Sequence, residues 1–157
     1  MKKIVLVIML LMAFSESVDA QNYNTGIGFR GGLSNGFTIK HFVSSTNAIE
    51  GIIAGRWGGI LITALYEFDN EFNTEGLNWY YGAGGHVGIW NTPKHASWWD
   101  EGDVSSPIIG VDAVLGIEYT FPEFPLSISL DWKPALNLIG YTGVWADSGA
   151  FSIRYVF

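Results

Sequence analysis

The chain has 157 residues, enough for one domain, and a net charge of −7 with no basic run, so nucleic acid is a poor partner. It has no cysteine, which excludes disulfides, thiol catalysis and Cys-ligated metals. It is 48% hydrophobic with a mean hydropathy of +0.23, yet after residue 20 no apolar run could make a membrane-spanning helix, so its apolar residues must be interleaved with others.

The chain opens "MKKIVLVIMLLMAFSESVDAQ". Lys2 and Lys3 form a positive start, Ile4–Phe14 is an unbroken apolar run, and Val18-Asp19-Ala20 ends on small residues at cleavage spacing. This predicts a secretory signal over residues 1–20, cut after Ala20, and one domain over 21–157. The apolar run is about half the ~20 residues that span a bilayer.

Strands are then predicted at Thr25–Leu33, Phe37–Val43, Ala48–Trp57, Gly59–Phe68, Leu77–Trp90, Ile108–Phe121, Leu126–Lys133 and Gly149–Phe157. Turn-rich stretches separate most of them, among them "SNG", "SSTN", "DNEFNTEG" and "FPEFP". No helical period, internal repeat or linker stands out after residue 20. Each strand has two unlike faces. Ile109, Val111, Ala113, Leu115, Ile117 and Tyr119 alternate with Gly110, Asp112, Val114, Gly116, Glu118 and Thr120. Leu126, Ile128, Leu130 and Trp132 alternate with Ser127, Ser129, Asp131 and Lys133. The last strand sets Phe151, Ile153, Tyr155 and Phe157 against Ala150, Ser152, Arg154 and Val156.

One face is large and apolar; the other is glycine, small polar residues and about one charge per strand. Those charges are Arg30, Lys40, Arg56, Lys133 and Arg154 against Glu50, Glu67, Asp112, Glu118 and Asp131, a balanced set. His86 shares their parity. Asp69, Glu71, Glu75, Asp100, Glu101, Asp103, Glu123 and Asp147 are expected in the connections. A soluble barrel turns its apolar face inward; a transmembrane barrel turns it outward and fills its lumen with polar groups. A Gly-rich face with sparse charges suits a narrow lumen better than a water-facing wall, and the apolar face carries aromatics near strand ends. The expectation is an all-β, eight-stranded antiparallel up-and-down transmembrane β-barrel. Leu115 should face outward, with Asp112 and Glu118 inward. Arg154 should pair with Asp131 or Glu118, and Lys40 with Glu50, because an unpaired buried charge costs several kcal/mol.

With its signal peptide, the ending "FSIRYVF" and the stretch "GIEYTFPEFPLSISLDWKP", the chain resembles the small eight-stranded outer-membrane β-barrels of Gram-negative bacteria. These are the OmpA/OmpX-like and "porin family" group, and the long stretch is similar to the last periplasmic turn of Bacteroidetes members. The resemblance covers residues 21–157 and carries no peptidoglycan-binding domain, so it does not imply cell-wall anchoring. It implies an outer-membrane location with both termini periplasmic. It also implies contact with outer-membrane lipids and lipopolysaccharide, and a monomer. Phe151, Ile153, Tyr155 and Phe157 would be read by the outer-membrane assembly machinery. Residues 91–107 and 135–148 would be outward loops.

Signals for chemistry are weak. His95, Ser97 and Asp100 could form a nucleophile, base and orienter, but an exposed polar loop is the plainer reading. Asp100, Glu101 and Asp103 read as a solvated acidic loop rather than a Ca²⁺ site. His41, His86 and His95 share no short metal-ligand spacing, and the Gly-rich stretches lack the Lys and helix of a phosphate cradle. No cofactor, metal or catalysis is expected. The leading function is a structural or interaction barrel with a charge-filled lumen. The alternatives are a narrow channel for small solutes and a lipid A-modifying enzyme.

Overall fold

The structure, a computed structural model, describes residues 23–56, 59–92, 104–140, 143–146 and 148–157. The strands form where the two-faced alternation runs. They are β1 (Thr25–Gly32), β2 (Asn35–Phe42), β3 (Asn47–Arg56), β4 (Gly59–Glu71), β5 (Leu77–Thr92) and β6 (Val104–Thr120). After these come β7 (Leu126–Trp132), β8 (Ala135–Ile139), β9 (Gly143–Trp145) and β10 (Gly149–Val156).

Neighbours in sequence pair antiparallel from β1 through β6. The ring then closes through β7 onto β10, and β10 pairs with β1. The ten segments make eight spans of one closed barrel. β6 explains the difference. Its C-terminal half takes β7, from Leu115↔Trp132 to Thr120↔Ser127, and its N-terminal half takes β8, from Ile109↔Ile139 to Asp112↔Ala135. β7 and β8 are therefore one strand interrupted at Lys133-Pro134, where proline has no N–H for a ladder. The Pro134 carbonyl still accepts from the Ala113 N–H at 2.9 Å. β9 returns along β8, and β10 continues the descent along β7.

Residues 135–148, expected as an outward loop, thus build wall through β8 and β9. Behind Pro134 the alternation resumes, with Ala135 and Asn137 buried and Leu136 and Leu138 exposed. β5 and β6 also run past their expected ends, because each is the other's pairing partner up to Thr92↔Val104. The expected corner at Trp57–Gly59 lies mostly outside the described residues. At the opposite end, the terminal end of the barrel, the segment just before β1 meets the end of the chain: Phe157 O accepts from Asn24 N at 3.1 Å and Thr25 N at 2.9 Å. At that end the turn after β4 passes through Gly76 at φ +77°, where a side chain would be strained.

The faces are inverted relative to a water-soluble barrel. Outward-pointing Phe29 is 67% exposed, Ile60 63% and Leu115 50%, whereas inward-pointing Lys40, Glu50, Glu67 and Arg154 are 0% exposed. Apolar side chains also line part of the interior: Ile52, Ala54, Leu65 and Val114 form a buried cluster with Tyr80. Tyr80 can enter the lumen because β6 has glycine opposite it. A Cβ on Gly116 would lie 2.5 Å from the Tyr80 ring and 2.7 Å from Asp131 Cβ.

Candidate functional site

Parity decides which charges share the lumen, and side-chain length decides which of them meet. Glu118, on β6 near the terminal end, is the hub. Its carboxylate accepts from Lys40 Nζ at 3.0 Å, Tyr23 Oη at 2.7 Å and Ser127 Oγ at 2.6 Å, with Arg154 Nη1 at 3.5 Å. Lys40 Nζ also lies 3.1 Å from Glu67 Oε2 and 3.1 Å from Asp69 Oδ1. It sits 4.3 Å from the centre of the Tyr80 ring, a cation–π distance. Arg154 reaches from β10 to Glu50 Oε1 at 2.5 Å, and donates to Ser129 Oγ at 2.9 Å and Thr38 Oγ1 at 3.4 Å. Thr38 donates to Glu50 as well.

Farther along the lumen Arg30 forks onto Asp131, with Nη1 2.6 Å from Oδ2 and Nη2 on Oδ1. Tyr80 Oη donates to the same carboxylate at 3.2 Å. Toward the other end, Asp112 holds Lys133 Nζ at 2.5 Å and His86 Nδ1 at 2.7 Å. The second His86 nitrogen, Nε2, lies 2.8 Å from Asn137 Oδ1, and the imidazole stacks on Trp145 at 6.1 Å.

The expected partners meet in part. Arg154 does lie within reach of Glu118, while Asp131 is engaged by Arg30 instead. Lys40 and Glu50 are Cα partners across β2 and β3, yet no ion pair joins them. The Lys40 ammonium extends to a point where Glu67, Asp69 and Glu118 converge, and three carboxylates attract it more strongly than one. Glu50 is taken by Arg154. Asp69, expected in a connection, is buried in the cluster because β4 runs on past Phe68 and keeps the parity of Glu67. That parity was readable in the sequence. So was that of Tyr80, which it shares with Gly82 and Gly84; Tyr23 precedes the first strand and gave no signal.

The balance also shifts. Among the described residues the buried interior acids are Glu50, Glu67, Asp69, Asp112, Glu118 and Asp131, against Arg30, Lys40 and Arg154 with the part-buried Lys133. The excess gathers at the terminal end. Glu50 Oε2, both Glu67 oxygens and Asp69 Oδ2 have no hydrogen-bond partner there. Glu67 is close to Lys40 Nζ, but the geometry is that of an ion pair and not of a hydrogen bond. The side chain of Arg56 falls outside the described residues, as do His95, Ser97, Asp100, Glu101 and Asp103. His41 is exposed and within 2.8 Å of Thr25 Oγ1. Phe151, Ile153 and Phe157 are exposed on the outer wall, with Tyr155 partly covered beside them.

No protein-family model matches the sequence, and no curated protein matches it. A solved structure is similar in fold: the N-terminal β-barrel domain of Pseudomonas aeruginosa OprF, with a TM-score of 0.67 and 14% sequence identity. The match covers 87% of this chain and 100% of that one. At that identity the likeness is one of architecture, a closed eight-strand antiparallel barrel.

The network sets a measurable penalty. Arg154→Ala strips Glu50 of its cation and Glu118 of one of two. It should lower stability by about 3–5 kcal/mol, the range for breaking a buried pair from one side. Adding Glu50→Gln should recover part of that loss. Urea unfolding of the refolded barrel reads both. A loss under about 0.5 kcal/mol would mean that these ions are solvated as surface pairs are.

Proposed function

We propose that this chain is a structural and interaction barrel of a Gram-negative outer membrane, with a lumen closed by its own side chains. One observation carries the reading: large apolar side chains point out and charged ones point in. Such an outer wall would be costly against water and is natural against hydrocarbon. The closed ring supports it, since lipid tolerates no open sheet edge. So do the outer aromatics near the terminal end. Phe68 and Tyr81 stack at 5.3 Å, Trp79 and Tyr81 at 5.6 Å, and Tyr119 and Phe121 meet edge-on at 4.9 Å. Rings of this kind suit a lipid–water boundary. The likeness in fold to the OprF barrel domain supports the closed-barrel architecture on which this reading rests.

In this reading residues 1–20 are a removed export signal, and the termini face the periplasm. The β8–β9 hairpin and the connection between β5 and β6 face outward, toward lipopolysaccharide and any surface partner. The barrel works as a monomer and performs no catalysis. The Bacteroidetes resemblance of residues 116–134 belongs to the same reading. Interior packing favours a plug over a pore, because an eight-strand lumen is just wide enough for side chains to fill.

Two measurements test the membrane reading. Leu115→Arg, judged by urea unfolding in liposomes, should lose about 2–4 kcal/mol if Leu115 faces the hydrocarbon midplane. A loss below about 0.5 kcal/mol would remove lipid from that face. Deleting Phe157 should sharply reduce folded barrel in the outer membrane of cells while leaving refolding into detergent near wild type. Equal losses in both settings would make Phe157 a stability residue and not part of an assembly signal.

A further inference from the structure

At the end of the lumen away from the termini, His86 reaches both strands of the β8–β9 hairpin. It projects inward from β5 and is buried. Its Nδ1 lies 2.7 Å from Asp112 Oδ2 on β6, and its Nε2 lies 2.8 Å from Asn137 Oδ1 on β8. The ring stacks on Trp145 of β9, with centroids 6.1 Å and planes 11° apart. β5 and β8 share no ladder, because β6 runs between them. Gly110 on β6 makes the crossing possible. It pairs with His86 on one side and Asn137 on the other, and a Cβ there would lie 2.5 Å from His86 Cε1 and 2.8 Å from Nε2.

The partners set which protons the imidazole carries. A carboxylate only accepts, so Nδ1 keeps its hydrogen. Nε2 faces an amide, which can offer an oxygen or an NH₂ group. A doubly protonated ring donates from Nε2 to Asn137 Oδ1, and Asn137 Nδ2 is then buried with no hydrogen-bond partner. A singly protonated ring has a lone pair at Nε2 that repels Oδ1, so the amide must turn over for Nδ2 to donate. The two ends of an amide are close to the same size, so both states fit one space. They hold the hairpin unequally. The imidazolium makes charge-assisted bonds to Asp112 and Asn137 and sets its charge against the Trp145 indole. The neutral ring keeps the bond to Asp112 and loses the other two gains. Asp112 favours the second proton, while Lys133, 2.5 Å from the other Asp112 oxygen, opposes it. The remaining neighbours of the ring, Thr63 across the ladder on β4, Gly110, Asn137 and Trp145, carry no charge.

We propose that His86 is a proton-dependent latch on the β8–β9 hairpin. With two ring protons it ties Asn137 and Trp145 to β5. With one, the amide turns over, the cation leaves the indole and the hairpin loosens. Histidine changes charge between about pH 5 and about pH 8, so the hairpin should be tight on the acid side and looser as pH rises. The Arg30–Asp131 fork and the ion pairs around Glu118 contain no histidine, so the lumen stays filled in both states. The latch follows from the His86 contacts in any setting; only its facing the external medium rests on the orientation proposed above.

Hydrogen exchange of the folded barrel in detergent tests this, at about pH 5 and about pH 8, with each amide corrected for its intrinsic rate. Protection in β8 and β9 should fall by about fivefold or more at the higher pH, the effect of losing one cation–π contact, while β1 to β4 hold theirs. His86→Gln should abolish the difference. Asn137→Asp puts a second carboxylate on the ring and should keep the hairpin protected at the higher pH. His41→Gln and His95→Gln, at the two other histidines, should leave the wild-type difference in place. In the wild type, the ring ¹⁵N signals of His86 should change with the same pH midpoint as hairpin protection, a readout that does not depend on any variant folding. Protection independent of pH, a difference that survives in His86→Gln, an Asn137→Asp hairpin as loose as wild type at the higher pH, or two separate midpoints would each overturn the latch.

Discussion

A charge inside a narrow closed sheet must find another charge there, and much of this interior is arranged by that need. An unpaired buried ion costs several kcal/mol, so the side chains of facing strands are committed to one another across the lumen. Glu118 on β6 binds groups from before β1 and from β2, β7 and β10 at once. Arg154 on β10 ties β2, β3 and β7. Backbone ladders join each strand to its neighbours alone; Lys40–Glu118, Arg154–Glu50 and Arg154–Thr38 join strands that share no ladder. The network therefore resists a change of register as well as a change of shape, because a slip by one residue would send every one of these charges to the outer wall.

The same need orders the lumen along its length. The terminal end holds Lys40 and Arg154 among four acids, the middle holds the Arg30–Asp131 fork beneath Tyr80, and the far end holds Asp112 between Lys133 and His86. An apolar cluster of Ile52, Ala54, Leu65 and Val114 lies among these polar groups. The charge of the lumen is uneven, with the acid excess and the orphaned carboxylate oxygens of the described residues gathered at the terminal end.

Much of this was legible in the sequence, and the gaps have physical causes. A period of two reports which face a side chain occupies, so Arg30, Glu118, Asp131 and Arg154 could be assigned to one interior from their parity alone. It says nothing of how far a side chain leans. Lys40 was expected on Glu50, its neighbour across the ladder, but a long flexible stem let its ammonium reach three carboxylates farther along. Proline interrupts the pattern without ending the wall, which hid β8 and β9 behind Pro134. Asp69 reads in the sequence as the start of a turn, whereas β4 runs on through it to Glu71 and keeps the parity of Glu67. Tyr23 lies outside any strand, and only the folded chain brings its hydroxyl to Glu118.

Single-channel recording of the purified barrel in planar bilayers tests the closed, charge-filled lumen most directly. A quiet bilayer at all voltages is expected, with folding verified by the shifted mobility of the folded band on gels. A steady ohmic current that scales with salt concentration would contradict it, because water and ions would then be crossing where Glu118, Arg154 and Lys40 are said to fill the space.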